Sequence, residues 1–232
     1  MLVPVKQLAF AKQRLAGLLS ASQRQALVVA MLEDLLGVLV AQPQLRGVTL
    51  LCDDEQLAPI AQRLGVERVG ESTLGVQGLN AALQVLAARL RARGETALMV
   101  LLGDVPLLEA ADIAHLLAAH RDGQGCTLAA DRHGLGTNAL LLPEQHLAEP
   151  FQFHFGEQSC ARHKGEALRL GIQTRQLALE NVALDIDTTA DLRELLHRSS
   201  LNPNSRTGQL LSELRAQIIA AQDLIQTPVS AS

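Results

Sequence analysis

Tryptophan and tyrosine are absent from this 232-residue chain, and three of its four phenylalanines crowd into positions 151–155. So few rings leave no stacking platform for single-stranded nucleic acid. Cationic excess is missing too: 20 Lys and Arg stand against 24 Asp and Glu, and the net charge of −4 supplies no basic stripe for a nucleic-acid backbone. Cys52, Cys126 and Cys160 are far apart, odd in number and free of Cys-x-x-Cys spacing, which argues against a disulfide framework or a zinc site. Cys52 and Cys126 sit in apolar runs and read as small core residues. No apolar stretch approaches the roughly 20 residues that span a bilayer. The first residues enter a strand without the basic region and cleavable apolar segment of a signal peptide, so the expectation is a soluble, cytoplasmic enzyme with no membrane partner. The Walker pattern, Gly-x-Ser-x-Gly and His-Glu-x-x-His are all missing, which removes P-loop, serine-hydrolase and zincin chemistry. Gly134-Leu135-Gly136 is no dinucleotide fingerprint, because a third glycine is lacking and a strand follows.

What is present is a large apolar fraction, 48% of the residues, enough for a sizeable core without staples. Leu2–Val5 reads as a short strand. A helical pattern over 20–41 has Ser20 or Ser22 as cap and Pro43 just beyond. A buried strand at Val48–Cys52 precedes a helix over 55–64. Gln77–Arg93 reads as helix and Ala97–Leu102 as strand. Glu109–Arg121, Cys126–Ala130, Asn138–Leu142, Gln158–Leu170 and Asp191–Arg198 continue as helix, strand, strand, helix and helix. This alternation predicts an α/β fold, a three-layer α/β/α sandwich around a mostly parallel mixed sheet. Residues 1–198 form the predicted domain, 199–207 a linker, 208–226 a C-terminal helix and 227–232 a frayed tail. The helix carries Leu210, Leu211, Leu214, Ile218, Ile219 and Leu224 at helical spacing, so it either packs back or meets a second copy in a homodimer.

Carboxylates mark the chemistry. In Leu-Leu-Gly-Asp-Val-Pro-Leu-Leu (101–108), an apolar strand delivers Asp104 to the sheet edge where α/β folds bind ligands. A turn aspartate before Pro106 is the plainer alternative. Leu184-Asp185-Ile186-Asp187-Thr188 repeats the device, and in a strand Asp185 and Asp187 would share a face. Either could instead cap the helix that follows. Two such strand-end sites suggest a shared divalent metal, whose usual anionic partners are triphosphates. Asp-x-Asp-Thr also resembles an aspartyl-phosphate run, but it lies late in the chain and no glycine follows. Lys6, Lys12 and Arg14 follow the first strand in a chain whose only other lysine is Lys164. They are candidates to neutralise a triphosphate and its leaving pyrophosphate, though basic residues commonly decorate solvated loops. Thr137 and Asn138, after the Gly134–Gly136 loop, can donate hydrogen bonds to an anion. Gly156, Ser159, His163 and Lys164 form a second such group at a helix start. Gln77, Gly78 and Asn80 could bond a base. His115 and His120 lack metal spacing and read as surface residues.

These motifs together resemble the CofC-type guanylyltransferases of deazaflavin coenzyme F(420) biosynthesis. The matching segments are Leu2-Val3-Pro4-Val5-Lys6, Ala11-Lys12-Gln13-Arg14-Leu15-Ala16, Met31-Leu32-Glu33-Asp34 and Gly78-Leu79-Asn80-Ala81-Ala82-Leu83. Leu102-Gly103-Asp104-Val105-Pro106-Leu107, Asp131 to Leu140, Phe155-Gly156 with Ser159 and His163, and Asp185-Ile186-Asp187-Thr188 complete them, over about residues 1–197. The resemblance implies a nucleotide-diphospho-sugar transferase-like fold. It also implies GTP as donor and 2-phospho-L-lactate, phosphoenolpyruvate or 3-phospho-D-glycerate as acceptor. On it, Pro4, Lys6, Lys12, Arg14, Gly78 and Asn80 would meet the nucleotide. Thr137, Asn138, Gly156, Ser159 and His163 would meet the acceptor, and Asp104, Asp185 and Asp187 would hold a magnesium ion. Lys12, Arg14 and Asp104 would be catalytic. Gly103, Glu157 and Cys160 depart from the family pattern, and acidic Glu157 puts acceptor identity in question. The acceptor phosphate oxygen is already anionic at neutral pH, so the reaction needs no general base. Alternatives are a nucleotidyltransferase acting on molybdopterin or a sugar phosphate, and a GTP-binding protein without catalysis.

Overall fold

Short apolar runs alternating with amphipathic ones fold into one mixed sheet between two helical layers. The structure, a computed structural model, describes residues 1–120, 125–146, 151–198 and 200–226. Its strands are β1 (Leu2–Pro4), β2 (Thr49–Leu51), β3 (Glu67–Val69), β4 (Ala97–Leu101), β5 (Cys126–Ala130), β6 (Thr137–Pro143) and β7 (Thr174–Leu177). The helices are α1 (Ala21–Val40), α2 (Ala58–Leu64), α3 (Glu71–Leu74), α4 (Leu79–Ala92), α5 (Ala110–Ala119), α6 (Ser159–Arg169), α7 (Glu180–Ala183), α8 (Thr189–His197) and α9 (Arg206–Gln226). The strand order is β3-β2-β1-β4-β6-β5-β7. All neighbours are parallel except that β6 runs against both β4 and β5. The winding reverses between β1 and β4, which opens a crevice at their carboxyl ends.

Two apolar clusters cover the two faces. On one, α1, α2, α5, α8 and α9 bury leucines and isoleucines against Val3, Leu50, Met99, Leu101 and Leu141. On the other, α4, α6 and the three phenylalanines at 151–155 pack on Leu2, Val100, Leu128 and Leu140. Ser20 starts α1 with a capping box, its hydroxyl taking the Gln23 N–H while the Gln23 side chain returns to the Ser20 N–H.

Several expectations change. β3 and β7 carry no apolar run because they are the sheet's edges, largely exposed, with one neighbour each. The helix expected over 55–64 opens as a 3₁₀ turn at Glu55–Leu57, and α2 begins only at Ala58, with proline in its first turn. The segment 184–187 is not a strand: it is an extended connection between α7 and α8, tied to the sheet edge where the Ile186 N–H donates to the Asp104 carbonyl (3.2 Å).

The C-terminal helix begins at Arg206 and packs back on the domain. Leu211, Leu214 and Ile218 are buried in the first cluster beside α1, and Asp34 caps the helix by accepting from the Arg206 and Thr207 N–H groups. Leu211, Leu214 and Ile218 are thus spent within the chain, whereas Ile219 on the same helix is exposed. The tail 227–232 and Arg121 lie outside the described residues. Among the described residues no helix is long and apolar enough to cross a membrane.

Candidate active site

Everything chemically distinctive converges on the carboxyl edge of β1 and β4. Asp104 follows β4 by three residues and enters the edge beside β1. Gly103 stands in front of it for a steric reason: a Cβ there would lie 2.7 Å from Val5 Cγ2. The departure from the family pattern noted at this position therefore matches a close approach of two backbones.

Asp185 and Asp187 reach the same point from the 184–187 connection, and carboxylate oxygens of Asp104, Asp185 and Asp187 lie within 4.8 Å of one another. Neither aspartate caps α8. Thr188 takes that role, its hydroxyl accepting the Asp191 N–H, while the Asp191 carboxylate receives the N–H groups of Asp187 (3.0 Å) and Thr188 (2.6 Å). Arg132 in turn bridges Asp191 and Glu194. Sequence reasoning missed this support, although Thr188-x-x-Asp191 is a legible capping pattern.

Lys12 faces the cluster. Its ammonium lies 2.5 Å from Asp104 and 2.9 Å from Asp187, and its side chain is 8% exposed. The residue is held at φ +46°, a left-handed conformation that costs a non-glycine residue on the order of 1–2 kcal/mol. The surrounding loop compensates: Leu8, Ala11 and Leu15 are buried, and Arg24, reaching from α1, donates to the Ala11 and Leu19 carbonyls. Arg24 is another supporting residue that the sequence alone did not single out. Burial works against the Lys12 charge, yet the facing Asp104 and Asp187 carboxylates overcome it and push the ammonium up to about 12.

The carboxylates split electrostatically. Burial, then the neighbouring Asp104 charge, push Asp185 up to about 6. Burial would raise Asp187 as well, but Lys12, with Arg14 and Lys6 further out, holds it below the usual carboxylate range. The three N-terminal cations thus all act on one aspartate. The donor set is wholly carboxylate oxygen, and Asp104 Oδ1 is buried without a hydrogen-bond partner among the described residues. Such an orphaned acceptor beside two further carboxylates fits a hard divalent cation.

Antiparallel β6 brings its first residues to this edge. Ala129 pairs with Ala139 but Ala130 with Thr137, so Asn138 is an extra, bulged residue. The bulge re-aims both neighbours. Asn138 is buried and donates to the Val182 carbonyl (2.9 Å) and Asp185 (3.2 Å), which makes it a support for the carboxylate connection. Thr137 meets His163 on α6, with 3.0 Å between Oγ1 and Nδ1. Ser159, buried at the start of α6, lies one turn before His163, after a loop with positive φ at Gly156 and Gln158. The Cys160 N–H donates to the Leu135 carbonyl (3.0 Å), which joins the two predicted anion-binding groups into one corner. His163 itself is fully buried, and Lys164 is half-buried without an ion pair among the described residues.

Two predicted residues have other engagements. Asn80 spends its amide on Phe155, donating to its carbonyl (3.0 Å) and accepting its N–H (2.7 Å), so it fastens the phenylalanine loop to α4. The Gly78 N–H donates to Glu71 (2.6 Å). Beside them, at the carboxyl ends of β2 and β3, a cavity of about 370 Å³ is lined by Asp53, Glu71, Ser72, Gly75, Val76 and Gln77. Pro4 is buried at the end of β1. His120 is half-buried with Nε2 lacking a partner among the described residues, which corrects its reading as a surface residue, whereas His115 is exposed.

A cation-lined crevice at the switch point, facing convergent carboxylates, is a nucleotidyltransferase architecture. Solved structures show the same fold: a putative nucleotide-diphospho-sugar transferase from Desulfovibrio desulfuricans superposes with a TM-score of 0.72 at 16% identity, covering 94% of this chain and 96% of that one. A CMP:2-keto-3-deoxy-manno-octonic acid synthetase complexed with CTP gives 0.57 at 13% identity over 96% and 98%. Closer relatives fix the family. The chain is 36% identical over 203 residues to a phosphoenolpyruvate guanylyltransferase of Sphaerobacter thermophilus, covering 88% of this chain and 95% of that one. It is 37% identical over 201 residues to one of Conexibacter woesei, covering 84% and 87%. The family described as "Guanylyl transferase CofC like" matches residues 1–220, well into α9. This chain belongs to that family, and it is a nucleotidyltransferase.

Proposed function

We propose that the protein transfers GMP from GTP to phosphoenolpyruvate in the cytoplasm, releasing pyrophosphate, as a step in coenzyme F(420) biosynthesis. The observation that carries the reading is the convergence of Asp104, Asp185 and Asp187 opposite Lys12. The relatives' names supply the acceptor and the guanylyl group, and the family resemblance supplies GTP as the donor. A phosphate oxygen of the acceptor forms a bond to the α-phosphorus of GTP as the α–β bridging bond breaks. That oxygen is anionic at neutral pH, so His163 and the other histidines need not act as bases. The barrier lies in bringing two anions together and in charge building on pyrophosphate.

Asp104, Asp185 and Asp187 would hold magnesium, which when bound supplies positive charge to the phosphate oxygens. Lys12, with Arg14 and Lys6 beside it, neutralises the triphosphate and leaving pyrophosphate. The corner of Thr137, Gly156 and Ser159 receives the acid. Guanine fits the cavity at the ends of β2 and β3. Two strand spacings, about 10 Å, separate β4 from β2, close to the reach of a nucleoside from its α-phosphate. Glu71 keeps one oxygen without a hydrogen bond among the described residues, an acceptor suited to guanine's N–H groups.

Mass spectrometry of products from GTP with phosphoenolpyruvate, 2-phospho-L-lactate and 3-phospho-D-glycerate in parallel tests this. The expected result is a guanylylated phosphoenolpyruvate and stoichiometric pyrophosphate. A different adduct corrects the acceptor; no adduct with any acid overturns the reading.

A further inference from the structure

His163 is fully buried, has no ion pair among the described residues and has no role in the reaction just described, yet it lies in the acceptor corner on the face of α6 that carries Ser159. Its two ring nitrogens are both engaged, and the partners determine where its proton sits. The His154 backbone N–H donates to Nε2 at 2.9 Å. A backbone N–H can only donate, so Nε2 is an unprotonated acceptor. Burial, with the nearby His154 and Arg162 charges, pushes the imidazole down to about 3, so the ring is neutral at any working pH. The single ring proton therefore resides on Nδ1, and that N–H donates to Thr137 Oγ1, 3.0 Å away.

The consequence falls on threonine. A hydroxyl that could donate to histidine would spend its hydrogen there. Here the hydroxyl oxygen accepts instead, and its own hydrogen has no partner among the described residues, although Thr137 is only 1% exposed. A buried donor left unmade is costly, and an anion at this corner would recover that cost. The setting is rigid. Phe155 meets the imidazole edge-on at 4.8 Å between centroids and Phe151 lies against it at 6.3 Å, so the ring does not rotate to offer its other nitrogen.

We propose that His163 is a positioning residue: it fixes the Thr137 hydroxyl as a donor toward the anionic group of the phosphorylated acid. This rests on the reading of Thr137 as part of the acceptor site. Two replacements separate a directed hydrogen bond from mere packing. In H163N the amide nitrogen overlays Nδ1 and retains a donor to Thr137. In H163Q the longer amide overlays Nε2 and leaves Thr137 without one.

The assay is steady-state pyrophosphate release with magnesium, varying acid and GTP separately. H163Q is expected to raise the KM for the acid about tenfold, the equivalent of one hydrogen bond to a charged group, with the KM for GTP unmoved. H163N is expected to recover most of that loss, and H163Q added to T137V is expected to cost nothing further. Equal effects of H163N and H163Q, or equal effects on both substrates, would overturn the proposal. If T137V leaves the KM for the acid unchanged, the acceptor-site reading itself fails; if T137V raises it and H163Q does not, only this inference fails. Should the variants not fold, nitrogen-15 NMR of histidine in the unaltered protein at about pH 5, where ordinary imidazoles are charged, decides the matter. A neutral ring protonated at Nδ1 is expected, and its absence refutes the assignment.

Discussion

Replacing Asp104 by asparagine removes one charge from the cluster while preserving its shape. On stability the consequences oppose one another. Lys12 loses its 2.5 Å partner but keeps Asp187 at 2.9 Å, and Asp185 is relieved of the neighbouring charge that helps push it up to about 6. Asp104 is itself 25% exposed, so solvent screens part of the lost attraction. The balance is a change within about 1 kcal/mol, equivalent to roughly 2–4 °C in Tm for a chain of this length. On turnover there is no such compensation. On the proposed reading the residue would contribute to cation binding and to the placement of Lys12, and the loss of one preorganised electrostatic group costs about 10²–10³ in rate, roughly 3–4 kcal/mol. Pyrophosphate release with saturating GTP and magnesium, paired with a thermal melt, reads both. Near-normal turnover at an unchanged Tm would show that the carboxylate cluster is not the catalytic centre. Lost turnover with a melt lowered by much more than 4 °C would make Asp104 a structural residue.

Four further outcomes follow from the same structure. Magnesium affinity, read by calorimetry, is expected to tighten as pH rises through about 6, because the proton on Asp185 competes with the metal, and D185N is expected to abolish that inflection; a flat profile between about pH 5 and 7 contradicts it. In the metal-free protein the sign reverses: the folded pKa lies above the unfolded one, so Asp185 contributes stability at low pH that is lost through about 6. I218A is expected to cost about 2–5 kcal/mol in urea unfolding, since Ile218 is fully buried where α9 meets the core; a loss below about 1 kcal/mol would mean that the helix is dispensable. G103A forces a Cβ against Val5 and is expected to cost about 1–3 kcal/mol in the same assay and to lower turnover by displacing Asp104; an unaffected variant would show that β1 and β4 can separate freely.

The legibility of this protein varies by element. Strands β1, β2, β4, β5 and β6 and the long helices could be read because each buries a face and so imposes an apolar period on the chain. β3 and β7 bury little and imposed none. Asp104, Asp185, Asp187 and Lys12 stood out because charged residues after apolar runs are unusual, whereas Asn138, Arg24, Arg132 and Asp191 looked ordinary. Asp191 holds Asp187 and Thr188 through a local capping pattern. Arg24, Asn138 and Arg132, by contrast, act on Ala11, Val182 and Asp191, which lie far from them in the sequence. A hydrogen bond between distant segments leaves no mark on the spacing of residues beside it. The bulge at Asn138 is equally silent, since one extra residue in β6 changes which face each side chain takes without changing the composition.

The order of residues by itself determined the layered α/β class, the choice of Asp104, Asp185 and Asp187 as candidates and the family likeness, because burial and charge are properties each residue carries locally. Only the tertiary structure decided that both late aspartates reach Asp104, that Thr188 and neither of them caps α8, that α9 closes over α1, and that His163 faces Thr137 with Nδ1. Those facts depend on which distant backbones lie side by side at the carboxyl edge of the sheet, and proximity between distant residues exists only once the chain has folded.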